Sequence, residues 1–193
     1  MLHSIRTALA ACAIASAAPA MALQTMVTQI DKNADGSMTY HFSIRTDPGE
    51  TLEPGEARTA TGASTVGDFV TIYNFYGLMD DSVKSPDGWV FSSEDFGRTP
   101  MLDGYPMVLP VDVPNTPNLT WAVTKPVAAG VTVDGFLAAT KMGGTVRGEY
   151  SAQVTRQSPA LAGANGTPAV EAQTAKQALL GLLPTPSFLI EVK

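Results

Sequence analysis

Cysteine and histidine are almost missing from this chain. Its 193 residues contain one cysteine, Cys12, and two histidines, His3 and His41. One thiol excludes an intramolecular disulfide, and so few soft ligands exclude a closed zinc or copper shell of thiolates and imidazoles. Nucleophilic triads of the Ser-His-acid or Cys-His kind need an imidazole to accept the proton. His41 lies on the polar face of an alternating segment, which favours a surface position on a strand over that catalytic role.

Positive charge and long apolar runs are also scarce. The 12 lysine and arginine residues are outnumbered by 18 aspartate and glutamate residues, which gives a formal net charge of −6. Nucleic acids and anionic membranes attract clustered lysine and arginine, so neither is expected as a partner. No stretch beyond the N-terminal segment reaches the ~18 apolar residues of a membrane-spanning helix.

The first 22 residues have the pattern of a secretory signal peptide. Arg6 supplies the positive n-region, residues 8–18 form an Ala-rich apolar h-region, and Ala20-Met21-Ala22 is the small-x-small pattern after which signal peptidase cleaves. We therefore expect export to the extracellular space or the periplasm. The mature chain, residues 23–193, is long enough for one domain with its own core.

Lipidation is the alternative fate of this segment. Leu9-Ala10-Ala11-Cys12 resembles a bacterial lipobox, in which the cysteine becomes the lipidated first residue. Only a few residues separate Arg6 from Cys12, and the apolar run continues past the cysteine. Simple cleavage near Ala22 is therefore favoured.

The densest run of β-branched and aromatic residues is Gly67 to Leu78, GDFVTIYNFYGL. Read with a period of two, it places Phe69, Thr71, Tyr73 and Phe75 on one face and Val70, Ile72, Asn74 and Tyr76 on the other. Both faces are largely apolar. This pattern indicates a central strand with cover on both sides of its sheet.

Further apolar and alternating runs predict the rest of the domain. The predicted strands are 24–30, 37–46, 89–91, 119–124, two short pieces within 131–140 around Gly135, and 145–156. Five prolines within residues 95–118 exclude a helix or a central strand there, so this segment is expected to run extended over the surface. We predict an all-β fold, an antiparallel β-sandwich of Ig-like or jelly-roll-like type.

An irregular excursion is expected before the last strand, over residues 157–185. Residues 157–168 are rich in Ala, Gly and Pro, which is typical of a mobile loop. Thr167-Pro168 could cap and begin a helix over Ala169–Leu180, with disordered loop as the alternative. Residues 187–192 are the predicted closing strand.

Four stretches carry a resemblance to a known group. They are residues 67–78, Pro86-Asp87-Gly88-Trp89, residues 112–121 and residues 133–140, and the resemblance covers roughly residues 37–156 of the chain. In order and type they resemble secreted, mostly uncharacterised bacterial proteins of the PEP-CTERM or exosortase-associated kind. The resemblance implies an extracellular all-β domain linked to exopolysaccharide or biofilm matrix, and it implies no functional residue. Residues 183–193 lack the Pro-Glu-Pro signature, apolar helix and basic end of the sorting tail, so release without anchoring is expected.

Two kinds of binding site are suggested by residue type. Asp31, Asn33 and Asp35 occupy the opening D-x-N-x-D-G pattern of an oxygen-rich calcium loop. Residue 42, where a bidentate glutamate would close that loop, is Phe, so ordinary turn chemistry is favoured.

Aromatic side chains suggest the second kind, a platform on which sugar rings stack. The candidates are Trp89, Trp121, Tyr76 and Tyr105. The two tryptophans lie on alternating strands, where core packing is favoured, and the two tyrosines are the expected exposed members.

Three functions remain open from the sequence. The favoured one is a secreted, non-catalytic protein of the cell surface or extracellular matrix that binds polysaccharide or other matrix components. A polysaccharide-active enzyme is the second, with Asp80 and Asp81 or Glu94 and Asp95 as carboxylate pairs. A self-assembling surface or fibre subunit is the third.

Overall fold

The structure is a computed structural model that describes residues 22–55, 67–102, 105–106, 110–158 and 173–187. Residues 1–21, which form nearly all of the predicted signal peptide, lie outside the described residues. So do the loop residues 159–172 and the predicted closing strand after Ser187.

The described chain is built almost entirely of β-strands. They are β1 (Gln24–Lys32), β2 (Met38–Arg45), β3 (Glu50–Thr51), β4 (Phe69–Ile72), β5 (Trp89–Glu94), β6 (Met101–Leu102), β7 (Tyr105–Pro106), β8 (Asn118–Val123), β9 (Thr132–Thr140), β10 (Gly144–Ser158) and β11 (Gln173–Ser187). A single 3₁₀ turn, Asp80–Ser82, precedes β5. No helix in the part that the structure describes has the length and apolar character needed to cross a bilayer.

These strands form two antiparallel sheets and a small hairpin. The smaller sheet has the order β1-β2-β9, and the larger has the order β11-β10-β4-β8-β5, with β3 also paired to β10. β6 and β7 make the hairpin. β9 is one strand rather than the two predicted pieces, because Gly135, at φ +96°, sits in a bulge opposite β2 that preserves the pairing on either side.

The core lies between the two sheets, as predicted for an all-β sandwich. Tyr40 and Phe42 of β2 and Phe136 of β9 project from the smaller sheet, and Trp121 of β8 meets them from the larger one. The Trp121 ring centroid is 5.7 Å from that of Phe42 and 5.5 Å from that of Phe136. Offset and edge-to-face contacts of this kind add to the burial energy of the rings.

The predicted central strand is confirmed, although it is shorter than expected. β4 lies between β10 and β8, and all four of its residues are buried. Asn74 then adopts a left-handed conformation, φ +54°, which ends the alternation. Phe75 therefore packs in the core against Tyr40, with centroids 5.5 Å apart, and not on the face of Tyr73 where the period-two pattern placed it.

The second face of the larger sheet is covered by the proline-rich segment. The Tyr73 hydroxyl donates to the carbonyl of Arg98 at 3.3 Å, and the Arg98 guanidinium lies 5.5 Å from the centre of the Phe69 ring. The Asp112 carboxylate accepts a 2.8 Å hydrogen bond from Asn118 of β8. The described parts of this segment, residues 95–102 and 110–118, therefore supply the cover that the second apolar face of β4 requires.

The helix predicted over Ala169–Leu180 is wrong for residues 173–180, and the excursion predicted over 157–185 is wrong for 157–158 and 173–185. All of these residues lie in β10 or β11, which pair along fifteen consecutive positions. Ala, Lys, Gln and Leu favour a helix locally, but here they form a strand because the long edge of β10 offers a ladder of hydrogen bonds. Pro184 and Pro186 are tolerated because β11 is an edge strand, with ladder bonds on one side only.

Candidate functional site

The residues of the calcium-loop pattern form a β1–β2 hairpin turn. Asp31 accepts hydrogen bonds from Gln29 at 2.6 Å and from the His41 ring at 2.8 Å, and these bonds lower the pKa of its carboxyl below the ordinary value. Asn33 donates to Ser37, and Asp35 accepts from the same residue. Within the described residues, no group of three or more His, Cys, Asp and Glu side chains is placed to hold a metal ion. Calcium binding here stays a prediction.

The four aromatic candidates do not share one surface. Trp89 and Trp121 are buried, at 8% and 1% exposure, and both pack on Phe136. They are core residues, as the alternation favoured. Tyr76 is half-buried beside an open groove, and the side chain of Tyr105 lies outside the described residues.

The groove beside Tyr76 lies where the chain leaves β4 and meets the start of β10 and the end of β11. Two adjoining hollows of about 380 and 360 Å³ form it, and they share Val146, Arg147 and Leu182. We call this surface the Tyr76 groove. Its lining residues are 73–74, 76, 145–149 and 182–185.

A set of backbone-directed hydrogen bonds fixes the wall that carries Tyr76. The Asn74 backbone N–H donates to the Asn118 side chain at 2.8 Å. The Asn74 side chain donates to the carbonyl of Val111 at 3.0 Å and accepts from the Val113 N–H at 2.7 Å. Asparagine tolerates the left-handed conformation better than most residues. These three hydrogen bonds then hold the turn that follows β4. Tyr76 follows two residues later on a fixed backbone.

The opposite wall is set by the pairing of β10 with β11. Gly148 is paired with Leu183, and a Cβ atom at Gly148 would run into the Thr185 side chain. The absence of that atom lets the two strands stay in contact at the groove. Val146 and Leu182 line the groove and remain 48% exposed each, so they leave aliphatic area open to solvent there.

The groove combines three chemical characters in one open surface. Tyr76 contributes an aromatic ring, Leu182 contributes aliphatic area, and Arg147 and Glu149 contribute one charge of each sign. Arg147 and Glu149 are exposed on β10, two residues apart on one face of the strand. Such a surface can pack against the apolar face of a ligand while forming directional hydrogen bonds with polar groups at its edge.

The other chemical candidates lie apart from the groove lining. Asp81, Glu94 and Asp95 are exposed to solvent, in the 3₁₀ turn, at the end of β5 and directly after it. His41 sits on β2 with Asp31 as its partner. Neither arrangement adds a nucleophile beside a base in the described part of the chain.

The sequence pointed to Tyr76 but not to the residues opposite it. In the 145–156 run Val146, Gly148, Tyr150, Ala152 and Val154 share one face, which leaves Arg147 and Glu149 on the other, and this alternation was the available signal. Leu182 could not be placed, because β11 was expected to be helix or loop.

Comparison of the chain with protein-family models, with curated proteins and with solved structures finds no significant match.

Proposed function

We propose that the mature protein is a non-catalytic polysaccharide-binding protein of the cell surface or extracellular matrix, and that the Tyr76 groove holds the polymer. The observation that carries this proposal is the meeting of Tyr76, Arg147, Glu149 and the half-exposed Leu182 in one open groove. The export signal and the resemblance to secreted matrix proteins support the location.

The groove matches the chemistry of a sugar ring. A pyranose has apolar C–H faces, which pack on aromatic and aliphatic side chains, and a rim of hydroxyl groups, which accept from guanidinium and donate to carboxylate. The open shape suits a chain that enters and leaves at both ends, whereas a small ligand is normally enclosed by its pocket.

A neutral polymer fits better than an acidic one. Arg147 is offset by Glu149 within the groove, and the whole chain carries a net charge of −6. A polyanion would therefore approach a surface of its own sign, which slows association and weakens binding.

Affinity electrophoresis tests this proposal, with neutral glucans, mannans and galactans as soluble probes and alginate as the acidic comparison. Tyr76→Ala, Arg147→Ala and Leu182→Ala should each reduce the retardation caused by a neutral polymer. Arg45→Ala and Val90→Ala are the matched controls, because both residues are exposed and lie on strands away from the groove.

Three results would overturn the proposal. The first is an absence of retardation on all polymers, and the second is equal retardation of groove variants and controls. The third is release of new reducing ends from a polymer by the protein, with loss of that activity when a carboxylate is replaced. That result would establish the enzyme hypothesis instead.

A further inference from the structure

Leu23, the first residue of the predicted mature chain, is fastened inside the protein. Its side chain is 2% exposed and belongs to the hydrophobic core. Its backbone N–H donates to the carboxylate of Glu50 at 2.9 Å, and its carbonyl accepts from the Tyr150 hydroxyl at 3.4 Å. The first residues of a domain usually fray, so a buried attachment at this position indicates a specific role for its nitrogen atom.

Glu50 lies in an electrostatically incomplete site. It is 2% exposed, and its carboxylate also receives the backbone N–H of Asp47 at 3.4 Å. The charged side chains around it are Asp47, which is itself buried, and Arg156, its neighbour in the β3–β10 pairing. Burial raises the pKa of the Glu50 carboxyl, and this outweighs the lowering by the Asp47 and Leu23 N–H donors and by the charge of Arg156. A buried carboxylate in this setting is costly unless a cation lies against it.

The predicted cleavage supplies that cation at the required atom. Hydrolysis of the Ala22–Leu23 bond consumes one water molecule and leaves a carboxylate on Ala22 and an amine on Leu23. The amine takes up a proton near neutral pH. We propose that cleavage after Ala22 converts the Leu23 N–H into an α-ammonium group that forms a buried ion pair with Glu50, so that removal of the signal peptide itself stabilises the fold.

This inference rests on two independent observations. The cleavage position comes from the small residues at 20 and 22, and the acceptor comes from the 2.9 Å contact to Glu50, which is 27 residues away in sequence. A cut one residue earlier or later would move the ammonium group along the chain by one residue and out of register with the carboxylate. The proposed ion pair therefore favours an N-terminus at Leu23 over one at a neighbouring residue.

The first test is the N-terminus of the exported protein, determined by intact mass and terminal sequencing. We expect Leu23. The second test compares urea unfolding of the chain that begins at Leu23 with that of a chain that retains Ala22. Because a hydrogen bond that includes a full charge is stronger than a neutral one, the Leu23 form should have a folding equilibrium constant about tenfold larger or more.

Glu50→Gln is the decisive variant, and Glu94→Gln, at an exposed position on β5, is its matched control. The advantage of the Leu23 form should vanish in Glu50→Gln and persist in Glu94→Gln. If Glu50→Gln does not fold, the α-amine of the native protein should still react with an acylating reagent several-fold more slowly than in urea. A different N-terminus, equal stability of the two wild-type forms, or an unprotected α-amine would each overturn the inference.

Discussion

Replacing Lys176 with methionine should destabilise the protein through one buried carboxylate. The Asp68 side chain is 0% exposed, and it forms an ion pair with Lys176 at 2.6 Å. Its other oxygen accepts from the Glu53 N–H at 2.8 Å and from the Thr155 hydroxyl at 2.7 Å. Lys176 lies near the start of β11, so this pair also fastens the edge strand to the loop before β4.

The geometry sets bounds on the free energy of unfolding that Lys176→Met should lose. Loss of the ammonium group leaves one Asp68 oxygen without a donor among the described residues and removes the cation that balances the charge. Breaking a buried pair by removing one partner costs about 3–5 kcal/mol, and a single charged hydrogen bond contributes about 1.5–3 kcal/mol. Because Lys176 is 37% exposed, solvent screens the pair, and the loss should lie below the first range and within the second. We expect about 2–3 kcal/mol, which is a shift of about 1–2 M in the urea midpoint.

The chain contains its own control for this measurement. Lys125 and Asp87 form an ion pair of nearly the same length, 2.7 Å, but their side chains are 64% and 88% exposed. Exposed pairs contribute little to stability, so Lys125→Met should leave the urea midpoint almost unchanged. If Lys176→Met and Lys125→Met shift the midpoint equally, or if Asp68→Asn combined with Lys176→Met is as unstable as the two single effects added together, the reasoning is refuted.

Two further predictions concern the cover over β4. Gly97→Ala should destabilise the protein by about 1–3 kcal/mol, because a Cβ atom there would run into the Tyr73 ring, and the loss should shrink in a Tyr73→Leu background. Burial raises the pKa of Tyr73 to about 12, so the unfolded chain ionises first and stability should fall as pH rises from about 10 towards that value. Tyr73→Phe should flatten this alkaline decline in pH-dependent urea midpoints, and an unchanged slope would show that Tyr73 does not cause it.

Strand positions could be predicted from the sequence because alternation reports burial directly. Tyr40, Phe42 and Ile44 are buried as their spacing in the 37–46 run indicated. The double-sided burial of β4 was also predictable, since both of its faces are apolar. The face of Phe75 was not, because one left-handed residue, Asn74, reverses the pattern and asparagine does so in only some contexts.

Neither β11 nor the Tyr76 groove could be predicted from the sequence, and the reason is the same for both. Ala, Lys, Gln and Leu favour a helix when the chain is considered locally, and only the free edge of β10 makes a strand the better solution. Leu182 could be placed opposite Glu149 only once that pairing was known. The contact between Leu23 and Glu50 is hidden for the same reason, since it depends on tertiary folding.

The character of β11 also bears on self-assembly, the third function considered from the sequence. Assembly by strand addition needs an open edge with regularly spaced N–H donors. In β11, Pro184 and Pro186 occupy alternate positions opposite Arg147 and Thr145, and neither has an N–H to offer. Lys176 adds a charged side chain near the other end of the strand. A neighbouring molecule could not continue a regular ladder along this end of β11, so the prolines disfavour fibre growth by strand addition there.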